Sequence, residues 1–140
     1  MSNVIPLNAG AGPLRILVVD DHLDGVHSLV KFFTLAGHIA SFAINGFAAI
    51  EAAREFKPDV VILDMRLPDM TGLDVARQLK FEAGMEHLRI IAMSGSPEFQ
   101  QMAAEHGIAE FVLKPVESSV WEALLGGERG QPASNDAAEC

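Results

Sequence analysis

The feature that most constrains the fold is a pair of apolar runs, each of strand length and each ending in aspartate. The first is "LRILVVD" at residues 14–20, and the second is "DVVILD" at residues 59–64. A strand that is apolar on both faces must be covered on both faces, as strands are in a parallel sheet flanked by helices. The two runs therefore predict buried strands of an α/β fold.

Strand-like and helix-like segments alternate along the rest of the chain. Further strands are predicted at "HIASFAI", which is the weakest, and at "RIIAMS" and "AEFVLK". Five strands that alternate with five helices predict a doubly wound parallel sheet with right-handed crossovers. The helices are indicated by apolar stripes at Val26, Leu29, Val30 and Phe33, at Phe47, Ile50 and Phe56, and at Leu73, Ala76 and Leu79, followed by segments around Phe99–His106 and Glu117–Leu125.

Polar residues stand at the carboxyl ends of four predicted strands. In parallel α/β folds these ends meet at one edge of the sheet, where ligands gather. We therefore expect one functional edge. Its members are Asp20 and Asp21 after the first strand, Asp64 after the third, Ser94 after the fourth, and Lys114 and Pro115 after the fifth.

Charge and cysteine content exclude several classes of function. Ten basic residues against nineteen acidic ones give a net charge of −9, and without a basic cluster direct nucleic-acid binding is not expected. The only cysteine, Cys140, cannot form an intramolecular disulfide, which favours a reducing compartment. No apolar run has the length of a membrane span, and the first residues lack the features of a secretion signal. We expect a cytoplasmic protein without membrane contact.

The two ends of the chain differ in composition from its middle. Residues 126–140, "GGERGQPASNDAAEC", lack apolar periodicity, and residues 1–13 are similar. We expect flexible segments there around one folded domain at residues 14–125. The chain then has no room for a DNA-binding or catalytic output module.

The predicted edge brings together three carboxylates, a hydroxyl and an amine. Two like charges about 4 Å apart repel by roughly 4 kcal/mol at an effective dielectric near 20, so the three carboxylates need a cation or must shift their pKa values, and a divalent metal is the evident cation. Oxygen ligands without His or Cys at ligand spacing favour Mg²⁺ over zinc. Such a set suits phosphoryl chemistry, in which an aspartate is the nucleophile and a lysine and a metal neutralise charge.

The motifs "VVDD", "VILDMRLPDMTGL", "AMSG" and "FVLKPV" occur in this order, and with them the chain resembles the receiver domains of two-component response regulators. The resemblance covers about Leu14 to Leu125. It implies a flavodoxin-like sheet with strand order 2-1-3-4-5.

The resemblance also implies the role of each acidic residue. Asp64 accepts a phosphoryl group from a phosphohistidine on a partner histidine kinase or histidine phosphotransfer protein. Asp21 and Asp64 hold Mg²⁺, Asp20 acts largely through water, and the backbone carbonyl of Arg66 is a further ligand. Taken alone, Asp20 and Asp21 would more often be a helix-capping pair.

The remaining site residues are assigned in the same way. Lys114 pairs with the phosphoryl group, Ser94 hydrogen-bonds to it, and Pro115 follows a cis peptide. Phe111 stands where the family has an aromatic residue that changes rotamer on phosphorylation, and a static core position is an equal alternative. Pro68 and Gly72 are interpreted as structural.

Two departures from the family pattern affect the expectations. The segment from Ser94 to Gly107 is about two residues short, which predicts a reduced fourth helix or preceding loop. Arg66, two residues after the phosphoacceptor, occupies a position where the family varies, and we hypothesise that it alters hydrolysis of the phosphoryl group.

The expected function is a phosphorylation-activated switch that changes partner binding through the fourth helix, fifth strand and fifth helix. Alternatives are a phosphorelay shuttle or sink, a phosphorylation-independent interaction module, and a receiver cut from a hybrid histidine kinase. No catalysis is expected beyond self-phosphorylation from phosphodonors and autodephosphorylation. A monomer or weak dimer is expected.

Overall fold

The computed structural model describes residues 12–82 and 84–126, which form one five-stranded parallel sheet with helices on both faces. The strands are β1 (Arg15–Val19), β2 (Ile39–Ala43), β3 (Val60–Asp64), β4 (Arg89–Ser94) and β5 (Glu110–Leu113). The helices are α1 (Leu23–Leu35), α2 (Gly46–Phe56), α3 (Gly72–Lys80), α4 (Phe99–Glu105) and α5 (Ser118–Leu125).

The strand order is β2-β1-β3-β4-β5, with every adjacent pair parallel. This confirms the predicted doubly wound sheet and its order. β3 lies in the middle and is buried along its whole length, so it delivers Asp64 from the most enclosed part of the sheet. The weak "HIASFAI" segment became β2, an edge strand whose Ile39 and Phe42 remain partly exposed.

Alternate residues of each central strand enter different cores. Ile16 and Val18 of β1 belong to the core beneath α1 and α5, whereas Leu17 and Val19 belong to the core beneath α2 and α3. This is the twofold side-chain alternation of a strand covered on both faces. Burying each such aliphatic side chain contributes about 1.5–3 kcal/mol.

The sequence prediction was wrong for one residue of the helical stripes. Phe47 is 70% exposed, although the sequence pattern placed it on the buried face of α2. That face is lined by Ala49, Ile50 and Ala53, which are all buried. These residues form the packed face of α2, and the Phe47 side chain lies outside it.

The predicted terminal segments, residues 1–13 and 126–140, lie almost entirely outside the described residues and stay predictions. Over the residues that the structure describes, no helix combines the length and apolar character needed to cross a membrane.

Candidate functional site

The carboxyl ends of β1, β3 and β4 bring the predicted acidic and hydroxyl residues to one place. Asp20, Asp64 and Ser94 are buried, with exposed fractions of 5%, 6% and 1%, whereas Asp21 is exposed. One carboxylate oxygen from each of Asp20, Asp21 and Asp64 lies within 4.8 Å of the others. The cluster forms where the parallel-sheet rule placed it.

Lys114 supplies the positive charge of this cluster. Its Nζ donates to Asp20 Oδ2 at 2.9 Å and to Asp64 Oδ2 at 2.8 Å. Its backbone N–H donates to the carbonyl of Ser94 at 2.8 Å, which ties the end of β5 to the end of β4. The peptide bond between Lys114 and Pro115 is cis, as the family resemblance implied.

Burial and pairing act in opposite directions on Asp64 and Lys114. Burial raises the pKa of the Asp64 carboxyl, and its hydrogen bonds from Lys114 and from the Arg66 N–H only partly offset that rise. Burial alone would lower the pKa of Lys114, but hydrogen bonds to Asp64 and Asp20 hold it above its ordinary value. Lys114 therefore stays protonated, and it lies beside Asp64, whose charged form is disfavoured by burial.

The donor set of the cluster fits Mg²⁺. Three carboxylates converge, two of them buried, and no His or Cys belongs to the group. Hard oxygen ligands of this kind suit Mg²⁺ better than softer metals. Asp20, Asp21 and Asp64 are the residues that could hold the ion.

The segment after Asp64 is fixed by close backbone packing. Gly72, the first residue of α3, lies so near the Asp64 carbonyl and Met65 that a Cβ atom there would collide with both. Its N–H donates to the Met65 carbonyl at 2.9 Å. The next residues of α3 are held by a capping box, in which Thr71 and Asp74 each accept from the other's backbone N–H. The loop after Asp64 is thus anchored at both ends.

Asp69 holds the same loop to a different helix. Its carboxylate oxygens accept from the N–H groups of Gly46 at 2.7 Å and Phe47 at 2.9 Å, at the beginning of α2. These bonds lower the pKa of Asp69. Sequence reasoning missed this contact because no local pattern links residues so far apart.

The loop between β4 and α4 forms the opposite wall of the cleft. Ser94 Oγ accepts from the Ser96 N–H at 2.9 Å, and Arg66 Nη2 donates to Ser96 Oγ at 3.4 Å. The Arg66 guanidinium also lies 5.4 Å from the centre of the Phe99 ring. Ser96 and Phe99 had no assigned role in the sequence analysis.

The cleft between these loops has a volume of about 470 Å³ and is open to solvent. Phe111 is half-buried against the core beneath α2 and α3 and is not one of the described lining residues. The lining consists of Asp21, Asp64, Arg66, Leu67, Pro68, Ser94, Gly95, Ser96 and Lys114.

Comparison with known proteins identifies the family. The sequence profile described as "Response regulator receiver domain" matches residues 16–125. The chain is 32% identical over 107 residues to a probable cyclic di-GMP phosphodiesterase of Vibrio cholerae and 33% identical over 101 residues to the DNA-binding response regulator MtrA of Mycobacterium tuberculosis. Each match covers 72% of this chain but only 23% and 44% of those relatives, so the chain spans less than half of their length.

Solved structures share the fold. The chemotaxis response regulator CheY4 of Vibrio cholerae superposes with a TM-score of 0.74 at 23% identity, over 82% of this chain and 98% of that one. The receiver domain of the sensor histidine kinase PA1611 of Pseudomonas aeruginosa, which has a magnesium ion in its active site cleft, superposes with a TM-score of 0.74 at 19% identity, over 81% of this chain and 94% of that one. At this identity the likeness concerns the fold, and the family follows from the profile match. The chain belongs to the response regulator receiver domain family of two-component signalling.

Proposed function

We propose that this receiver is a phosphorylation-dependent switch whose phosphoacceptor is Asp64. The observation that carries the proposal is the position of Asp64, a buried carboxylate at the end of the central strand that faces an open cleft and is paired with Lys114. A structural ion pair would not need an open cleft of this size beside it.

The donor is a phosphohistidine of a histidine kinase or histidine phosphotransfer protein. An Asp64 carboxylate oxygen attacks phosphorus, an O–P bond forms, and the N–P bond to the imidazole breaks. The imidazole leaves with the electron pair of that bond and takes up a proton, so the products are an aspartyl phosphate and a neutral histidine. Lys114 moves its hydrogen bond from the carboxylate to the phosphoryl oxygens and neutralises part of their charge.

Asp20, Asp21 and Asp64, with the Arg66 carbonyl, are the residues that would hold Mg²⁺. When bound, the ion neutralises charge on the phosphoryl oxygens. The convergence of the three carboxylates supports this assignment, as does the magnesium ion reported in the receiver of PA1611.

Phosphorylation places nearly two negative charges on the phosphoryl group and removes the one on the Asp64 carboxylate, so a cleft that is already acidic gains about one negative charge. The Ser94 hydroxyl, which accepts from the Ser96 N–H, still has its own hydrogen to donate to a phosphoryl oxygen. Movement of Ser94 toward the phosphoryl group draws the β4–α4 loop with it, and Phe111 follows. The surface of α4, β5 and α5 then offers a protein partner a different face. A partner responds only if it binds the two states unequally.

A second candidate is that the chain performs this role as part of a longer protein. The chain spans less than half of the length of the two relatives described above, and one structural neighbour is the receiver of a sensor histidine kinase. Transfer would then come from a kinase domain of the same protein. A purified kinase domain that phosphorylates the separate receiver much more slowly than the joined one would favour this arrangement.

Intact-protein mass after incubation with acetyl phosphate tests the proposal directly. We expect one phosphoryl group per chain in the presence of Mg²⁺ and none in its absence. Asp64→Asn should remove the addition, and Asp69→Asn, which changes a neighbouring loop aspartate outside the cluster, should retain it. An unmodified wild type, or a modified Asp64→Asn protein, would contradict the assignment.

A further inference from the structure

Helix α4 is weakly anchored compared with its neighbours. It has seven residues, the fewest of any helix in the described part of the chain, and Ala103 is its one buried residue. The N-cap residue Glu98 makes no side-chain capping hydrogen bond. The start of α4 is therefore held by two backbone hydrogen bonds to the preceding turn, by partial burial of Phe99 against the core, and by contacts from outside the helix.

Two cationic side chains provide such contacts, one at each end of α4. Lys80, the last residue of α3, has its Nζ 3.2 Å from the His106 carbonyl and 3.5 Å from the Gly107 carbonyl, just beyond the last turn of α4. Arg66 contacts the other end, where it donates to Ser96 Oγ and faces the ring of Phe99. A cation at a helix C-terminus is favourable, as is a guanidinium over an aromatic ring.

Arg66 differs from Lys80 in its connection to the phosphoacceptor. Its backbone N–H donates to Asp64 Oδ1 at 3.1 Å, and its side chain lines the cleft that Asp64 faces. A guanidinium binds phosphate oxygens through a planar pair of donors, and such charge-assisted bonds are stronger than a bond to a neutral hydroxyl. A phosphoryl group on Asp64 would compete for the same side chain.

We propose that Arg66 is a positioning residue that fastens the beginning of α4 to the phosphoacceptor loop in the unphosphorylated receiver. When Asp64 carries a phosphoryl group, the guanidinium leaves Ser96 and Phe99 for the phosphoryl oxygens, and the beginning of α4 is released. Lys80 keeps the other end in place, so α4 moves about its C-terminal end. The release step rests on the proposed function, whereas the restraint in the resting protein does not.

Backbone hydrogen exchange without any phosphodonor tests the restraint. We expect Arg66→Ala and Phe99→Leu to raise exchange of the Phe99–Glu105 amides by about twofold to fivefold, and strand β3 to be unaffected. Arg77→Ala is the matched control, because Arg77 is an exposed arginine paired with Asp74 on α3. In the double variant Arg66→Ala/Phe99→Leu the two effects should be less than additive, since both single variants remove the contact between Arg66 and Phe99. Each single variant also removes a contact of its own, to Ser96 for Arg66 and to the core for Phe99.

Unchanged α4 exchange in Arg66→Ala would overturn the proposal. So would equal increases in α4 and β3, which would indicate general destabilisation, or fully additive effects in the double variant, which would indicate unrelated contacts.

The release step is tested on samples in which the mass shows phosphorylation. Phosphorylated wild type should reach the α4 exchange of unmodified Arg66→Ala, and phosphorylation of Arg66→Ala should produce no further increase. If the α4 amides of phosphorylated wild type exchanged no faster than those of the unphosphorylated protein, the release step would be wrong, and Asp64 would still be the phosphoacceptor. Absence of any mass addition would overturn the proposed function and the release together, and the donor-free comparison would still decide the restraint.

Discussion

Charged residues lie at both ends of the parallel strands, at the amino edge of the sheet and at the carboxyl edge. Positive and negative charges balance only at the amino edge. At the amino edge, Arg89 meets Glu110 through two hydrogen bonds of 2.8 and 2.7 Å and also donates to the Leu124 carbonyl at 2.9 Å. At the carboxyl edge, Lys114 is shared between Asp20 and Asp64, and Asp21 lies within 4.8 Å of both. In the Arg89–Glu110 pair one cation matches one anion, whereas the cluster at the carboxyl edge has an excess of anions.

This difference distinguishes a structural ion pair from a site that can bind a cation. A matched pair gains little from a further ion, since both charges are already neutralised and hydrogen-bonded. An unmatched group of buried carboxylates is held together at a cost, and a cation reduces that cost. Substitutions at the two edges should therefore respond differently to Mg²⁺ and to pH.

The largest effect is expected at Lys114. Without divalent ions and at low ionic strength, Lys114→Met should lower the free energy of unfolding by about 3 kcal/mol, because Asp20 and Asp64 lose their cation while buried. Added Mg²⁺ should stabilise this variant more than wild type. Urea unfolding followed by fluorescence of Trp121, which is buried, measures both quantities. Lys31→Met, on the exposed face of α1, is the control. A loss no larger than that of the control would show that Lys114 is not needed to hold the cluster.

Arg89→Met should cost less, about 1–2 kcal/mol, because Arg89 and Glu110 are each nearly one-third exposed and water can solvate the remaining carboxylate. Mg²⁺ should not restore the loss, since a single carboxylate remains there. The same unfolding experiment applies. If Mg²⁺ rescued Arg89→Met as well as Lys114→Met, the contrast between the edges would be wrong.

Asp64→Asn should stabilise the unphosphorylated protein by about 1 kcal/mol near neutral pH, because it removes a buried charge. Burial raises the folded-state pKa of Asp64 above its unfolded value, so wild type loses stability as pH rises from the ordinary aspartate range, about 3.9, through the raised pKa. The gain of the variant should thus be present at neutral pH and absent in acid. Unfolding free energies across this pH range check the sign, and a variant less stable than wild type at neutral pH would contradict it.

The smallest effect is expected for Asp69→Asn. Asp69 lies at the carboxyl edge but resembles the amino edge, since backbone N–H groups of α2 satisfy its carboxylate. These bonds hold its folded-state pKa below the ordinary value, so its stabilisation is present at neutral pH and is lost as pH falls through that lowered pKa. The variant should be slightly less stable than wild type at neutral pH and equal to it in acid. Asp24→Asn is the control. If Asp69→Asn remained less stable than wild type in acid, the cause would be altered hydrogen-bond geometry rather than the lost charge.

Local periodicity was sufficient to predict most of the fold. The predicted strand "RIIAMS" coincides with β4, Arg89–Ser94, and the alternation of strands and helices led to the observed sheet. The convergence of Asp20, Asp64, Ser94 and Lys114 followed from one geometric rule about parallel strands. That rule needs only the order of the elements.

Contacts between loops could not be predicted in this way. Asp69 meets Gly46 across 23 residues of sequence, and Arg66 meets Ser96 across 30. Such contacts depend on how the ends of different elements are placed, which no periodic pattern encodes. The capping box of Thr71 and Asp74 is different, because its spacing is local and visible in the sequence.

The long separation between Asp64 and Lys114 also orders events during synthesis. The two residues that share the 2.8 Å hydrogen bond are 50 positions apart, and Lys114 follows the last strand of the sheet. A nascent chain that has emerged only through β4 carries all three carboxylates but not the lysine that neutralises them. Docking of β5 is therefore the step that completes the pocket, because only then can Lys114 reach Asp20 and Asp64.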